Sequence, residues 1–452
     1  MSEVSSGTEH ARVRAGRPGA RPGAGGARRA APSRNLRIEA LRLLAIVGIS
    51  LFHAMMPWTA LALCEPQACT PDGALLSSTP VMLAPMGLIA LLGAWGNHVF
   101  YMISGFFLIP SLARRSDAPG YWRSAAVATA RRLAVVAASM AFYAAIAFAV
   151  DAWIVPLPGV ATLGRWTLGL EFVWLYAGFV AVAPALAWVL RRAPRRAVVP
   201  AAALLLAAVF ALNAYIAFVA PGDVAARGLT DWRKWMSAVT YAASFAAAGV
   251  VGMTPAARGA AARRRRNMGR LGLAAVLAAT VLVEVVAACL RDVALIGALS
   301  FKSTSALSFL LALAALWCAA TAGADGSTGG TCGTAGGAGD GVRDLAQAAR
   351  LPAGGADSPA AARWAGRAVG ALASGILGFY IVQSVFSSVF MDAGIQPLLA
   401  AVWRRASAAL GVGGGSVAFL LAALACSAAF VVLVAAADRG VRQPVMRLLR
   451  LQ

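Results

Sequence analysis

Charge is what this sequence has least of. Asp, Glu, Lys and Arg make up 13% of the 452 residues while 60% are hydrophobic, and a soluble domain carries about 25% charged residues. That balance excludes a soluble globular enzyme. Acids are scarcer still: 18 Asp and Glu stand against 40 Lys and Arg, for a net charge of +22. Only two of the basic residues are lysine, Lys234 and Lys302. Such a surplus raises nucleic acid as a partner, but the basic residues cluster in short loops at alternate ends of apolar runs, which argues against it. The six cysteines follow no metal-ligand spacing, so no metal site is expected. There is no phosphate-binding loop and no clear internal repeat. No apolar run precedes the first long one, so a cleavable signal peptide is not expected.

What is there is a succession of long apolar runs, with a mean hydropathy of +0.73. Runs of eighteen or more specify membrane-crossing helices. The expected fold is therefore all-α, a polytopic membrane bundle of about ten spans near 37–61, 88–112, 131–151, 167–190, 197–219, 235–253, 270–291, 304–322, 369–391 and 415–437. Residues 1–33 read as a disordered basic tail, 34–322 as helices one to eight, 323–362 as a flexible Gly/Ala-rich loop, and 363–452 as the last two helices with a basic tail. With the amino-terminal side inside, thirty-one basic residues fall on cytoplasmic segments and eight outside, Arg42 lying within a helix. That asymmetry follows the positive-inside rule and puts both termini in the cytoplasm of a multi-pass protein of the plasma or inner membrane. The apolar stretch 81–95, interrupted by Pro85, suggests an interfacial or re-entrant piece leading into the second span. Cys64 and Cys69 share the first outer loop and are either bridged or free thiols.

The first span, from Arg37 through Leu43–Phe52 to His53, is aliphatic except for a polar stripe. Arg42 and His53 are eleven residues apart, so they share a face within about 20° and stand about 16 Å apart along the axis. Ionisable groups inside a membrane usually face a bundle interior and are functional candidates. His53 falls at or beyond the midplane, where neutral imidazole suits a general base; the plain alternative is a packing histidine bonded to a carbonyl. Arg42 lies one turn inside the cytoplasmic interface, either snorkelling or meeting an anion. Glu39, three residues earlier, is placed to hold its guanidinium.

Arg37-x-Glu39-x-x-Arg42, ten residues, then His53 resembles the first-helix signature of the acyltransferase-3 family. These are integral-membrane O-acyltransferases that move an acyl group, typically from a coenzyme A thioester, onto surface glycans or related acceptors. The family usually has aspartate where Glu39 stands. Asn97-His98-Val99-Phe100-Tyr101-Met102-Ile103-Ser104-Gly105-Phe106 is similar to its second signature, two aromatics, two variable residues, then Ser-Gly-Phe. Tyr121-Trp122-Arg123 with Arg131-Arg132 resembles the basic turn before the third helix. Glu171-Phe172-Val173-Trp174-Leu175-Tyr176 is similar to an aromatic segment of the middle helices, and Gly378-Phe379-Tyr380-Ile381-Val382-Gln383 to a late tyrosine helix. Many members have histidine where Gln383 stands.

The resemblance implies an enzyme that moves an acyl group, acetyl first among candidates, from cytoplasmic acyl-CoA to a hydroxyl of a cell-envelope glycan or lipid-linked sugar. Acyl-CoA enters as donor substrate, with no metal. His53 is the implied general base. Arg42, Arg131 and Arg132 are candidates for the acyl-CoA phosphates, and Arg42, Glu39, Ser104, Asn97, Glu171 and Tyr380 for substrate contact. The rival reading is a transporter or flippase of a lipid-linked sugar, whose marks would be repeats or paired broken helices. A membrane sensor or scaffold is the third.

Overall fold

A computed structural model describes residues 35–63, 80–219, 229–300 except 256 and 258, 305–321, and 369–449 except 371, 373 and 374. The expected tail 1–33, the loop 323–362 and the Cys64–Cys69 pair lie outside the described residues. Among those described there is no strand. Among the described residues eight helices are long and apolar enough to cross a membrane, and two shorter apolar helices, Ala306–Thr321 and Ile376–Val385, stand where the eighth and ninth spans were expected.

Helix α1 (Leu36–Ala62) starts where Asn35, in extended backbone, accepts the Arg37 N–H on its side-chain oxygen at 3.1 Å. That cap satisfies one of the free N–H groups of the first turn, and Glu39 adds a negative charge against the positive end of the helix. Helix α2 (Pro80–Ala113) is continuous, so the re-entrant piece expected at 81–95 is not formed. Pro85 is the sixth residue of the helix, so its ring removes the bond to the Val81 carbonyl, yet the helix runs on through it. At 34 residues α2 runs about 50 Å, well beyond a hydrocarbon core of about 30 Å. It is also the hub of the bundle, with 78% of its apolar window buried.

Helix α3 (Tyr121–Trp153) begins after Gly120 in left-handed backbone. Its start lies ten residues before the expected one, so Tyr121, Trp122, Arg123, Arg131 and Arg132 belong to the helix rather than to a preceding turn. The remaining long elements are α4 (Glu171–Arg192), α5 (Arg195–Ala214), α6 (Leu229–Gly252), α7 (Gly259–Leu290), α8 (Ala306–Thr321), α9 (Ile376–Val385) and α10 (Gln396–Ala437). The arginine run 263–266 is likewise helical, inside α7. Helix α10 is two helices joined at Gly411, whose φ of 69° breaks the axis. The span expected at 415–437 is its second half. Beyond it a π-turn, Asp438–Arg442, and a last helix, Gln443–Leu448, continue what was read as a basic tail.

The direction of each helix follows from its contacts. Gly48 lies against Trp95, Gly93 against Phe52, and Gly96 against Ala45 and Ile49, so α1 and α2 are antiparallel. Gly105 lies on the Phe245 backbone and Gly249 on Ile109, so α2 and α6 are parallel. The Ser50 hydroxyl donates to the Ser427 carbonyl at 3.4 Å and Trp58 meets Phe419 edge-on, so the second half of α10 runs back along α1. The chain thus returns to the face at which α1 begins, termed here the near face.

Gly105 is required by that packing. A Cβ there would overlap the Phe245 carbonyl oxygen, and backbone cannot yield as a side chain can. Gly105→Val is expected to cost about 3 kcal/mol, at the upper end of ordinary overpacking. The check is a lowered unfolding midpoint of the detergent-solubilised protein, with Gly178→Ala, which meets open space, as the neutral control.

Candidate active site

The site is built on α1 and α2 and closed by α3, α4, α6 and α9. At its near end Arg42 Nη1 donates to both Glu39 carboxylate oxygens, at 3.2 and 3.1 Å. The Arg42 side chain keeps 25% of its exposure and Glu39 12%, so the pair is held between the bundle and the near face. Arg37, by contrast, is exposed. One i,i+3 pairing fixes the guanidinium in orientation while leaving most of its five N–H donors for a further anion.

The consecutive arginines of α3 diverge. Arg131 is exposed; Arg132, turned 100° from it, is partly buried, and its Nη1 has no hydrogen-bond partner among the described residues. Arg132 and Arg42 both act electrostatically on the Tyr176 hydroxyl of α4, and Arg115 on Arg132. Two guanidiniums from two helices, Arg42 and Arg132, therefore lie within electrostatic range of one phenol, and a third, Arg115, lies within range of Arg132. A buried, unmatched N–H of a cation is costly, and an arriving phosphate or carboxylate removes that cost.

Farther along α2 is a layer of aromatic and amide groups. Asn97 donates through Nδ2 to the Tyr241 hydroxyl at 3.3 Å and accepts from the Tyr380 hydroxyl at 3.5 Å. The Tyr380 ring stacks on Phe172, with centroids 3.9 Å apart and planes 16° from parallel. Tyr101 donates to the Phe172 carbonyl at 3.0 Å. Glu171, next to Phe172, lies within electrostatic range of Tyr101 and Tyr241. Two candidates separated in sequence, Asn97 and Tyr380, thus meet in one layer with their aromatic neighbours, and a third, Glu171, lies within electrostatic range of it. Asn97 adjoins Gly96, which abuts Ala45 and Ile49, so the layer lies about 8 Å from the His53 level and on its Arg42 side.

His53 stands at the far end of the stripe. It is half-buried and meets the Phe52 ring edge-on, with centroids 5.1 Å apart. Its depth matches Leu92–Gly93 on α2, since Phe52 abuts Gly93. Ser104 is at the other end, near the Arg42 depth. Its hydroxyl donates to the Phe100 carbonyl one turn back in its own helix at 3.0 Å. His98 is turned away from α1. Its Nδ1 pairs with the Ser244 hydroxyl at 2.8 Å, and its ring is fully buried against Tyr241 and Phe309. Among the described residues no group of three or more His, Cys, Asp or Glu could hold a metal ion.

Phe172 and Tyr101 stand in the sequence only as aromatic positions of the quoted motifs, and Tyr241 in none of them, so no role was expected of the three. A second polar cluster was also missed. Asp438 and Arg442, the latter counted as a tail residue, form a bidentate ion pair at 2.5 and 2.9 Å and are 0% and 2% exposed. Arg442 also donates to Ser139 at 3.0 Å, and Tyr143 donates to Asp438 at 2.7 Å.

An all-helical bundle with a cationic near end, a tyrosine–amide middle and a histidine beyond defines an integral-membrane protein with an internal polar site. The family profile for an acyltransferase domain matches residues 35–437, and the chain belongs to the acyltransferase-3 family. No curated protein and no solved structure matches it.

Proposed function

We propose that this acyltransferase moves an acyl group, acetyl in the first instance, from cytoplasmic acyl-CoA to a hydroxyl of a cell-envelope glycan or lipid-linked sugar. The near face is then the cytoplasmic one, in keeping with the positive-inside asymmetry. The observation that carries the reading is the buried Arg132 N–H left to be matched, with Arg42 and Arg132 both within electrostatic range of Tyr176. Coenzyme A presents phosphates, and guanidinium groups bind phosphate through charge-assisted bonds. The donor approaches from the near face with its phosphates against Arg132 and Arg42, its thioester directed along α1.

His53 takes the proton from the acceptor hydroxyl at its ring nitrogen, and the oxygen forms a bond to the thioester carbonyl carbon. The carbon–sulfur bond breaks, the electron pair leaves with sulfur, and the imidazolium returns the proton to the thiolate. Asn97 and Tyr380, between the two ends, offer an amide and a phenol to the sugar hydroxyls. Glu171 adds a carboxylate to the same layer. Glu39 holds Arg42 in place.

Arg132→Gln tests the donor half. It removes the charge and leaves a shorter, neutral amide that can still hydrogen-bond. The apparent KM for acetyl-CoA is expected to rise about tenfold or more, since a charge-assisted bond contributes about 1.5–3 kcal/mol. Arg131→Gln, on the exposed face, leaves it within about twofold. The measurement is label transfer from acetyl-CoA to endogenous acceptors in membranes containing the full chain. Equal KM values for the two variants would remove Arg132 from the donor site.

A further inference from the structure

Helix α9 carries Tyr380 but is only ten residues long, bounded by Gly375 and by a break at Phe386. A helix this short owes its place to tertiary contacts rather than to its own hydrogen bonds. Its two faces meet different partners. Residues 378 and 380 are about 200° apart around the axis, so when Tyr380 faces Asn97 and Phe172, Gly378 faces the other way. There it rests on the buried ion cluster. A Cβ at Gly378 would overlap the Asp438 carboxylate and come within 2.5 Å of the Tyr143 hydroxyl.

The cluster is unusually well determined for so buried a group of charges. Asp438 accepts from Arg442 Nε and Nη2, from the Tyr143 hydroxyl and, at 3.2 Å, from Gln443 Nε2. Arg442 Nη1 is taken up by Ser139. It joins α3 to the π-turn after α10, and π-turns concentrate at functional positions. The far end of α9 is held separately: the Ser384 hydroxyl donates to the Gly169 carbonyl, and Arg165 Nη1 donates to the Ser384 carbonyl at 3.4 Å.

We infer that the Asp438–Arg442–Tyr143 cluster is a positioning device for acyl transfer, a fixed polar anvil that sets α9 so that Tyr380 reaches Asn97 in the acceptor layer. None of these three residues touches the reacting groups. They act through Gly378 on Tyr380, and the inference rests on the reading of Tyr380 and Asn97 as acceptor contacts.

The test uses Tyr143→Phe, which removes one donor to Asp438 and leaves the bidentate ion pair, and a reporter pair, Gly169→Cys with Ser384→Cys. An ideal Cβ on Gly169 lies 3.8 Å from the Ser384 hydroxyl oxygen, close enough for a bond between the two sulfurs when an added oxidant removes two electrons and two protons. A protease site placed within 323–362 separates the two cysteines, so the bond is read as the fraction of halves that stay joined on a non-reducing gel. The chain lacking the two cysteines sets the baseline.

With the cluster intact the bond forms readily. Tyr143→Phe is expected to slow it about threefold or more as α9 loosens. In the same membranes the maximal rate of label transfer from acetyl-CoA falls about tenfold, since displacements of an ångström carry penalties of that order and more. The KM for acetyl-CoA stays unchanged. Oxidising the reporter pair in Tyr143→Phe returns the rate to within about twofold of the parent. Equal bond formation with and without Tyr143 overturns the inference, as does a rate loss that the bond fails to repair. A parent chain that transfers no label refutes the proposed activity instead, and bond formation still judges the cluster.

Discussion

Replacing His53 by alanine is expected to lower label transfer from acetyl-CoA by about a hundredfold to ten-thousandfold, the usual range for losing a positioned general base. His53 is half-buried, and the substitution leaves unchanged the apolar side chains that hold α1 against α2, α9 and α10. The KM for acetyl-CoA should also hold, because the cationic contacts proposed for the donor lie about 16 Å away along α1. His53→Gln separates two roles: glutamine keeps a hydrogen-bonding side chain of similar reach but accepts no proton at neutral pH. Both variants are expected to be inactive. Transfer by the glutamine variant at more than about a tenth of the parental rate would leave His53 a packing or hydrogen-bonding residue, not a base. Unfolding midpoints of both variants in detergent, measured beside the rates, guard against loss by misfolding.

How much of this could be read from the sequence depends on whether a feature is local. The stripe on α1 was legible because an aliphatic helix makes every polar position conspicuous, and Arg42, Glu39 and His53 fall into a simple angular relation. The cap at Asn35 is local too. Prolines misled: Pro85 reads as an interruption, yet the helix absorbs the loss of one hydrogen bond and runs through it. The pair Arg131-Arg132 reads as one basic feature. A single step of 100° nonetheless puts one guanidinium outside and the other beside Tyr176, and only neighbouring helices decide which. The aromatic–amide layer needs four helices in register, so Tyr101 and Tyr241 carry no mark of their own. Gly411 marks the break before the expected last span, but that residues 396–410, with Arg404 and Arg405, are helical was not legible. Least legible was the Asp438 cluster. Its links to α3 span 295 and 303 residues, and an arginine close to a chain end is read first as a topology signal.

That cluster gives the second large effect. Asp438→Ala would leave the Arg442 guanidinium almost wholly buried with the neutral Ser139 and Tyr143 hydroxyls as partners, and breaking a buried ion pair from one side costs about 3–5 kcal/mol. A marked drop in the unfolding midpoint of the solubilised protein is the expected result. Replacing both partners, Asp438→Leu with Arg442→Met, removes the uncompensated charge, and such exchanges are often neutral or stabilising. The double variant is therefore expected to unfold within about 1 kcal/mol of the parent, well above Asp438→Ala. Leucine and methionine do not restore what Gly378 rests on. They offer no acceptor to the Tyr143 hydroxyl and no rigid bidentate geometry, so the double variant should regain stability while its transfer rate remains low. Recovery of both together would mean that the charges serve the fold alone; recovery of stability without rate ties them to the placement of Tyr380.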